Sequence, residues 1–259
     1  MKAIIACAGT GGHINPGIAI ANKIKEKDNT SEILFIGTDR GLEKDLIPRA
    51  GYNLQTIDAY GLSKEISVNN LKKIIKTIRG FSQSKKIIKE FKPDIVIGTG
   101  GYICGAVITS ANKLKIPTML HESNAFPGKA VKMLLKRTDV VMVSFEEAKK
   151  RLPKAKKVVV TGTPVKSLKK ELSLSEKIAL KEKYKLNPAK PSILAFGGSQ
   201  GAKVINDAVI DIAAKKLNRN YQILLSSGQK QYDYVKEELK KKGLKIDNLE
   251  RYKSSTIYV

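Results

Sequence analysis

The chain opens with MKAIIACAGTGGHINP, residues 1–16, in which a short apolar run leads into a glycine-rich turn. The run predicts a buried strand over Lys2–Ala6, and the turn Gly9–His13 precedes an amphipathic helix predicted over Pro16–Lys27. Glycines let the backbone turn tightly and approach a ligand with no Cβ in the way. The free N–H groups at the start of the next helix suit an anion such as pyrophosphate. A plain tight strand-to-helix connection is the alternative.

Short β-branched runs alternate with amphipathic stretches along the rest of the sequence. Further strands are predicted over Glu32–Ile36, Asp94–Ile97, Thr118–His121, Val140–Val143, Val158–Thr161, Ile193–Phe196 and Tyr221–Leu225. Further helices are predicted over Leu71–Phe91 and Lys203–Leu217. This alternation favours an α/β fold with parallel sheets built from right-handed βαβ units.

The alternation is interrupted once, between residues 163 and 190, where no strand pattern occurs and prolines punctuate a charged segment. A new strand, glycine turn and helix then begin at Ser192. We therefore predict two Rossmann-like domains with parallel sheets, at 1–163 and 164–259. The second is shorter than the roughly 100–150 residues of a typical domain, so we expect it to be incomplete.

The composition limits the possible partners. The formal net charge of +24 favours an anionic partner, such as an acidic membrane surface or a phosphorylated molecule. Nucleic acid is disfavoured because Trp is absent and no nucleic-acid-binding motif occurs. No apolar run reaches the roughly 18–20 residues that a spanning helix needs. The two cysteines, Cys7 and Cys104, are predicted to be buried thiols in a reducing cytosol.

Two further glycine turns repeat the pattern of the first. One is GTGGY at residues 98–102, and the other is GGSQGA at residues 197–202. Two turns at the carboxyl edge of one parallel sheet lie where open α/β sheets bind ligands. Ser199 is predicted to cap its helix and to donate its hydroxyl to a phosphate.

Polar residues at 121–124, HESN, end another predicted strand at the same edge. They form either a polar strand end with a cap or a set of hydrogen-bonding groups for a sugar or phosphate. Their spacing lacks the i, i+4 pair of a helical zinc site, and we predict neither a metal nor a cofactor. His13, at the start of its helix, is well placed for acid–base chemistry.

Five motifs occur in order: GTGGH at 9–13, GGY at 100–102, HExN at 121–124, TGxPV at 161–165 and GGSQGA at 197–202. Together they resemble the MurG family, whose members transfer N-acetylglucosamine from UDP-GlcNAc to lipid I (undecaprenyl-pyrophosphoryl-MurNAc-pentapeptide), giving lipid II in peptidoglycan synthesis. The resemblance covers essentially the whole chain. It implies a GT-B fold, inversion at the anomeric carbon and binding of the acceptor by the N-terminal domain.

The resemblance also implies roles for individual residues. The loop implied to hold the acceptor or its pyrophosphate consists of Gly100, Gly101, Tyr102 and His121. The implied UDP-GlcNAc contacts are Thr10, Gly11, Gly12, Asn124, Lys166 and Ser199. Lys166 stands where the family commonly has arginine, so this contact keeps the charge and loses the bidentate geometry. His13 is predicted to take the proton of the acceptor C4 hydroxyl, and Glu122 is the second candidate for this base.

Members of the family bind uridine and N-acetylglucosamine with segments that have no counterpart between Ser199 and Val259. We therefore expect impaired donor affinity and activity unless another chain completes the site. The alternative function is a non-catalytic, acceptor-binding and membrane-docking half of a split or truncated glycosyltransferase. A nicotinamide-dependent dehydrogenase is disfavoured because the G-x-G-x-x-G spacing and an acidic ribose partner are missing.

Residues 71–81, LKKIIKTIRGF, carry apolar residues at helical spacing with basic residues beside them. They form either an amphipathic helix packed on the sheet or a basic surface that rests on anionic lipid. The resemblance favours the second, because the acceptor is a membrane lipid. The predicted location is peripheral, at the cytoplasmic side of the cell membrane.

Overall fold

The computed structural model describes residues 1–61, 68–165, 171–198, 201–244, 247–248 and 256–258, with side chains described except at 68–75, 247–248 and 256–258. The chain divides into two compact units, Met1–Leu168 and Lys169–Val259. The domain boundary predicted between residues 163 and 164 lies a few residues before this division and stays a prediction.

The first unit is built on a seven-stranded sheet. Its strands are β1 (Lys2–Cys7), β2 (Glu32–Gly37), β3 (Asn53–Thr56), β4 (Ile95–Gly100), β5 (Thr118–Glu122), β6 (Val140–Val143) and β7 (Val158–Val160). They pair in the order β3-β2-β1-β4-β5-β6-β7, and every pair is parallel. The chain order reverses between β1 and β4. The loops that follow these two strands therefore meet at the switch point where α/β sheets bind ligands.

Helices connect these strands on both faces of the sheet. They are α1 (Gly11–Lys27), α2 (Glu43–Arg49), α3 (Val68–Phe91), α4 (Ile103–Lys113), α5 (Lys129–Leu134) and α6 (Glu146–Lys150). The first helix begins at Gly11, earlier than the start predicted at Pro16, which lies inside the helix. Proline usually marks the first turn of a helix, so its position suggested the later start.

Apolar side chains from the central strand β1 pack on both faces of this sheet. Residues Ala3–Cys7 are 0% exposed. Ile4 faces a cluster that includes Ile88 of α3 and Val107 of α4. Ile5 faces a second cluster that includes Ile14 of α1. Successive residues thus point to opposite faces, as the two-residue period of a strand requires.

The strand β4 extends beyond the prediction, because it takes in Gly98–Gly100, which the sequence suggested as part of a turn. Its register against β1 shifts so that Cys7 lies opposite Gly100. A Cβ at Gly98 would lie 2.7 Å from Cδ2 of Leu120 and 2.9 Å from Sγ of Cys104. Only glycine therefore allows this close packing, and α4 begins three residues after the strand ends.

The second unit contains a smaller sheet. Its strands are β8 (Ser192–Phe196), β9 (Gln222–Ser226), β10 (Asp247–Asn248) and β11 (Thr256–Tyr258), and its helices are α7 (Leu174–Lys183), α8 (Lys203–Ala214) and α9 (Tyr232–Lys241). The predicted parallel pairing is present between β8 and β9, while β11 pairs antiparallel with β9 and with β10. The described residues between 163 and 190 contain α7 and no strand, as predicted.

One face of the second sheet is covered by α8 and α9. Val209 and Ile210 of α8 and Leu239 of α9 pack on Ile223 and Leu225 of β9. In the described parts of the chain, no helix is both long enough and apolar enough to cross a membrane.

Candidate active site

The first glycine turn connects β1 to α1 at the carboxyl edge of the sheet. Gly9 has φ +98°, a backbone conformation that favours glycine. Thr10 precedes the helix in an extended conformation, and its side chain caps no backbone group. Within the described part of the chain, the N–H groups of Gly11 and Gly12 have no acceptor. The start of α1 therefore presents free donors and a partial positive charge to an anion.

His13 lies half-buried in the first turn of α1. Its Nδ1 is 3.1 Å from the carbonyl oxygen of Ala8. A carbonyl oxygen only accepts, so Nδ1 must carry the proton and donate it. In the neutral ring the lone pair is then on Nε2, which is the nitrogen available to accept a proton from a ligand.

The first and second glycine turns contact each other directly. Thr99 donates its hydroxyl to the carbonyl oxygen of His13 at 2.7 Å. A Cβ at Gly100 would lie 2.7 Å from Cγ of the His13 ring, and a Cβ at Gly101 would lie 2.6 Å from the carbonyl oxygen of Ala8. Gly101 also has φ +88°. The second turn thus needs glycines because the His13 ring and the Ala8 backbone pack on it.

Tyr102 stands at the start of α4, next to these glycines, and is 39% exposed. Its ring lies near the backbone of Gly61, where a Cβ would be 3.8 Å away. The structure therefore brings together the predicted residues of the first two turns at one edge of the sheet. Their roles toward substrate stay predictions.

Glu122 ends β5 and is almost completely buried, with 4% of its surface exposed. Its Oε1 accepts the backbone N–H and the side-chain Nδ2–H of Asn124 at 2.8 and 2.9 Å. Its Oε2 accepts the backbone N–H of Gly128 at 2.7 Å. Both oxygens therefore hold the loop that follows β5, and Asn124 is kept exposed at the surface of that loop.

His121 is buried, at 1% exposure. Its Nε2 donates to the carbonyl oxygen of Gly162 at 3.3 Å, and its Nδ1 lies 3.4 Å from the hydroxyl of Ser123. Burial lowers the pKa of His121, and the contacts with Gly162 and Glu122 oppose that shift. The ring therefore connects the end of β5 to the chain after β7, and its predicted place in an acceptor loop stays a prediction.

Two predicted donor contacts, Lys166 and Ser199, lie outside the described residues. The described part of the third turn begins with Gly197, where a Cβ would collide with Ala202. Gly198 has φ +72°, and no atom of the described residues lies within 4 Å of its Cβ position. This turn precedes α8 as the first precedes α1.

Glu43 is a residue of this region that the sequence analysis missed. It is 0% exposed, and its carboxylate accepts the N–H of Gly9 at 3.0 Å. The signal that could have revealed it is an acidic residue just after a strand and a glycine-containing loop, at the start of α2.

The cysteines Cys7 and Cys104 are free and buried, as predicted. Burial raises the pKa of Cys104 to about 11 and raises that of Cys7 further, so neither thiol is reactive. Among the described residues, no group of three or more His, Cys, Asp or Glu side chains could hold a metal ion.

Two family models match the chain. The N-terminal domain of glycosyltransferase family 28 matches residues 3–143, and the C-terminal domain of that family matches residues 192–256. The chain belongs to glycosyltransferase family 28. The first match contains the two turns that pack on each other, and the second contains the third turn.

Curated members of this family support the assignment. The chain is 44% identical to the UDP-N-acetylglucosamine–N-acetylmuramyl-(pentapeptide) pyrophosphoryl-undecaprenol N-acetylglucosamine transferase of Caldanaerobacter subterraneus subsp. tengcongensis, over 96% of this chain and 67% of the relative. It is 41% identical to the transferase of the same name from Clostridioides difficile, over 90% of this chain and 57% of the relative. The chain thus spans 57% to 67% of the length of these two relatives. The predicted resemblance to the MurG family is confirmed.

Solved structures confirm the fold class. Acinetobacter baumannii MurG matches with a TM-score of 0.63 at 27% identity, over 92% of this chain and 63% of its own. UDP-GlcNAc 2-epimerase from Neisseria meningitidis, bound to UDP-GlcNAc, matches with a TM-score of 0.64 at 15% identity, over 95% and 70%. At that identity the second match is evidence for the fold alone. The fold is α/β of the GT-B type.

Proposed function

We propose that the chain acts in the transfer of N-acetylglucosamine from UDP-GlcNAc to lipid I, with lipid II as the product. The observation that carries the proposal is the contact between the first two glycine turns. In that contact Nδ1 of His13 donates to Ala8, so among the described residues Nε2 has no partner, and the N–H groups of Gly11 and Gly12 in the same turn have no acceptor. A proton acceptor next to donors for phosphate is what attack of a hydroxyl on a sugar nucleotide requires.

In the proposed reaction, the acceptor C4 hydroxyl attacks the anomeric carbon of the donor. Nε2 of His13 accepts the hydroxyl proton as the new carbon–oxygen bond forms. The bond to UDP breaks with its electron pair on the diphosphate, and the single displacement inverts the anomeric carbon. Helix N-termini and Ser199 stabilise the departing diphosphate, and Thr10, Asn124 and Lys166 complete the proposed donor contacts.

His13 is the preferred base over Glu122. The carboxylate of Glu122 already accepts three N–H groups, from Asn124 and Gly128. Protonation of either oxygen would break one of these bonds and release the loop after β5. Among the described residues, Nε2 of His13 forms no hydrogen bond that protonation would break.

The test compares the wild-type chain with His13→Ala and with Lys23→Ala, a control on the exposed face of α1. Transfer of label from UDP-GlcNAc to a soluble lipid I analogue with a shortened prenyl chain is measured, together with calorimetric binding of the analogue. Loss of a general base should lower turnover about 100-fold or more, with binding of the analogue little changed. Near-normal turnover of His13→Ala would move the role to Glu122. Absence of analogue binding by the wild-type chain would contradict the acceptor-side assignment.

We also propose that the first unit rests peripherally on the anionic, cytoplasmic surface of the cell membrane. On α3, Ile78 is 63% exposed and lies between the exposed Lys76 and Arg79. The other residues of the predicted basic surface, at 71–75, have no described side chains. An exposed apolar side chain among cations is typical of a helix that lies on anionic lipid.

Cosedimentation with vesicles of increasing anionic lipid content tests this contact. Arg79→Glu should reduce binding to anionic vesicles several-fold, since each basic residue near such a surface contributes about 1 kcal/mol. Lys85→Glu, an exposed charge reversal further along α3, is the control. Binding that ignores lipid charge, or equal losses in both variants, would contradict the proposal.

A further inference from the structure

Glu43 is a fully buried carboxylate that the proposed reaction does not use. Besides the N–H of Gly9, it accepts the backbone N–H of Thr38 at 3.1 Å and the Thr38 hydroxyl. Thr38 is itself 0% exposed. Among the described residues, no Lys or Arg forms an ion pair with Glu43. A carboxylate buried without a cation is costly unless hydrogen bonds satisfy it, and here three donors do so.

The loop between β2 and α2 is shaped around this side chain. A Cβ at Gly37 would lie 2.8 Å from Cγ of Glu43, and a Cβ at Gly41 would collide with its carboxylate. Both positions therefore exclude any larger residue while Glu43 keeps its place. The loop therefore holds the carboxylate of Glu43 in one position next to the first glycine turn.

Gly9 is tied to this loop through both of its backbone polar groups. Its N–H donates to Oε2 of Glu43 at 3.0 Å, and its carbonyl oxygen accepts the N–H of Leu42 at 3.5 Å. The chain then runs directly into Thr10 and the free N–H groups at the start of α1. The direction of these donors and of the His13 ring therefore depends on how Gly9 is held.

We propose that Glu43 is a positioning residue for the transfer reaction, which fixes the first glycine turn so that His13 Nε2 faces the acceptor and the free N–H groups of α1 face the diphosphate of the donor. The inference rests on the proposed function. Glu43 acts only through Gly9, because its carboxylate is fully buried. Its two oxygens face donors on opposite sides, Gly9 on one and Thr38 on the other.

This geometry makes glutamine a poor substitute. An amide has one oxygen, and its NH₂ group donates and cannot accept. In Glu43→Gln, the NH₂ group must face the N–H of Gly9 or that of Thr38, so one of them loses its acceptor. Thr38→Val removes only the hydroxyl donor, whereas Thr38→Ser retains it.

The experiment is NMR of the ¹⁵N-labelled full chain, which needs no catalytic turnover. Glu43→Gln should speed hydrogen exchange of the Gly9 amide about 10- to 100-fold and should change the imidazole nitrogen shifts that report the Nδ1–H form of His13. Glu32→Gln, an exposed glutamate of β2, should change neither. In the transfer assay, Glu43→Gln should lower kcat more than it raises the acceptor KM.

In Glu43→Gln, the His13 shifts could stay unchanged while amide hydrogen exchange becomes equally faster throughout the first unit. That result would show that Glu43 is merely structural and would overturn the proposal. If Glu43→Gln does not fold, the same measurements on Thr38→Val and Thr38→Ser decide. The valine variant should shift the NMR signals of Gly9 and His13, and the serine variant should keep both signals as in the wild type. Equal behaviour of the two variants would refute the positioning role of Glu43. Failure of transfer by the wild-type chain bears on the proposed function and leaves these shifts unaffected.

Discussion

The two units contain the same local pattern in very different surroundings. In each, an apolar strand leads into a glycine turn and then a helix: β1 and α1 in the first unit, β8 and α8 in the second. Ile4 and Ile5 of β1 are 0% exposed, whereas Leu194 and Phe196 of β8 are 59% and 60% exposed. Similar sequences therefore form the same elements, with opposite degrees of burial.

The difference lies in the neighbours of each strand. β1 pairs with β2 on one side and with β4 on the other, with helices over both faces. Among the described residues, β8 pairs only with β9 and forms the edge of its sheet. A strand pattern thus specifies an element, and burial depends on the elements that other parts of the chain supply.

The largest contrast is expected from truncating apolar side chains in the two strands. Ile5→Ala should destabilise the first unit by about 2–5 kcal/mol, because it opens a cavity in a closely packed core. Leu194→Ala should cost less than about 1 kcal/mol, because its side chain is mostly in water. Urea unfolding followed by NMR amide signals of each unit measures both. Equal losses of unfolding free energy in the two variants would contradict the difference in burial between the two strands.

Glycine turns offer a second, smaller contrast. Gly101→Ala should destabilise the first unit by about 2–3 kcal/mol, because its positive φ and the carbonyl of Ala8 both oppose a Cβ. Gly198→Ala meets no neighbouring atom and should cost only the backbone strain, about 1 kcal/mol. Thermal unfolding of the two variants compares them, and a larger effect at Gly198 would reverse the contrast.

The smallest expected contrast is in pH dependence, because both histidines of the chain lie in the first unit. Burial lowers the pKa of His121 below that of the unfolded chain, about 6.5. The unfolded chain therefore binds more protons, so stability is complete above pH about 6.5 and is lost as the pH falls below it. Only the first unit should lose stability between pH 7 and 5, and His121→Gln should reduce the loss. A similar loss in the second unit, or no change in the variant, would argue against this assignment.

Local pattern was enough to predict much of the fold. The strand at Val140–Val143 was predicted with its observed bounds, and the first two glycine turns were placed at one sheet edge. The helix α2 and the strand β3 were not predicted. β3 is a four-residue strand with mostly exposed side chains, so it lacks a clear apolar alternation.

Features that depend on specific contacts in the folded chain could not be predicted. Inclusion of Gly98–Gly100 in β4 follows from packing against Leu120 and Cys104. The carbonyl oxygen of Ala8 determines the tautomer of His13, and the buried ring of His121 contacts the carbonyl oxygen of Gly162. Hydrophobic periodicity and turn residues do not indicate which residues will be these partners.

Under the proposed function, the acceptor binds where the first two glycine turns meet, in the first unit. The most direct test is titration of the soluble lipid I analogue into the ¹⁵N-labelled chain, with amide shifts followed in both units. We predict the largest changes at Gly100–Tyr102, with the imidazole signals of His13 moving alongside them. Changes confined to the third turn, around Gly197 and Gly198, or no changes at saturating analogue, would contradict acceptor binding at the first two turns.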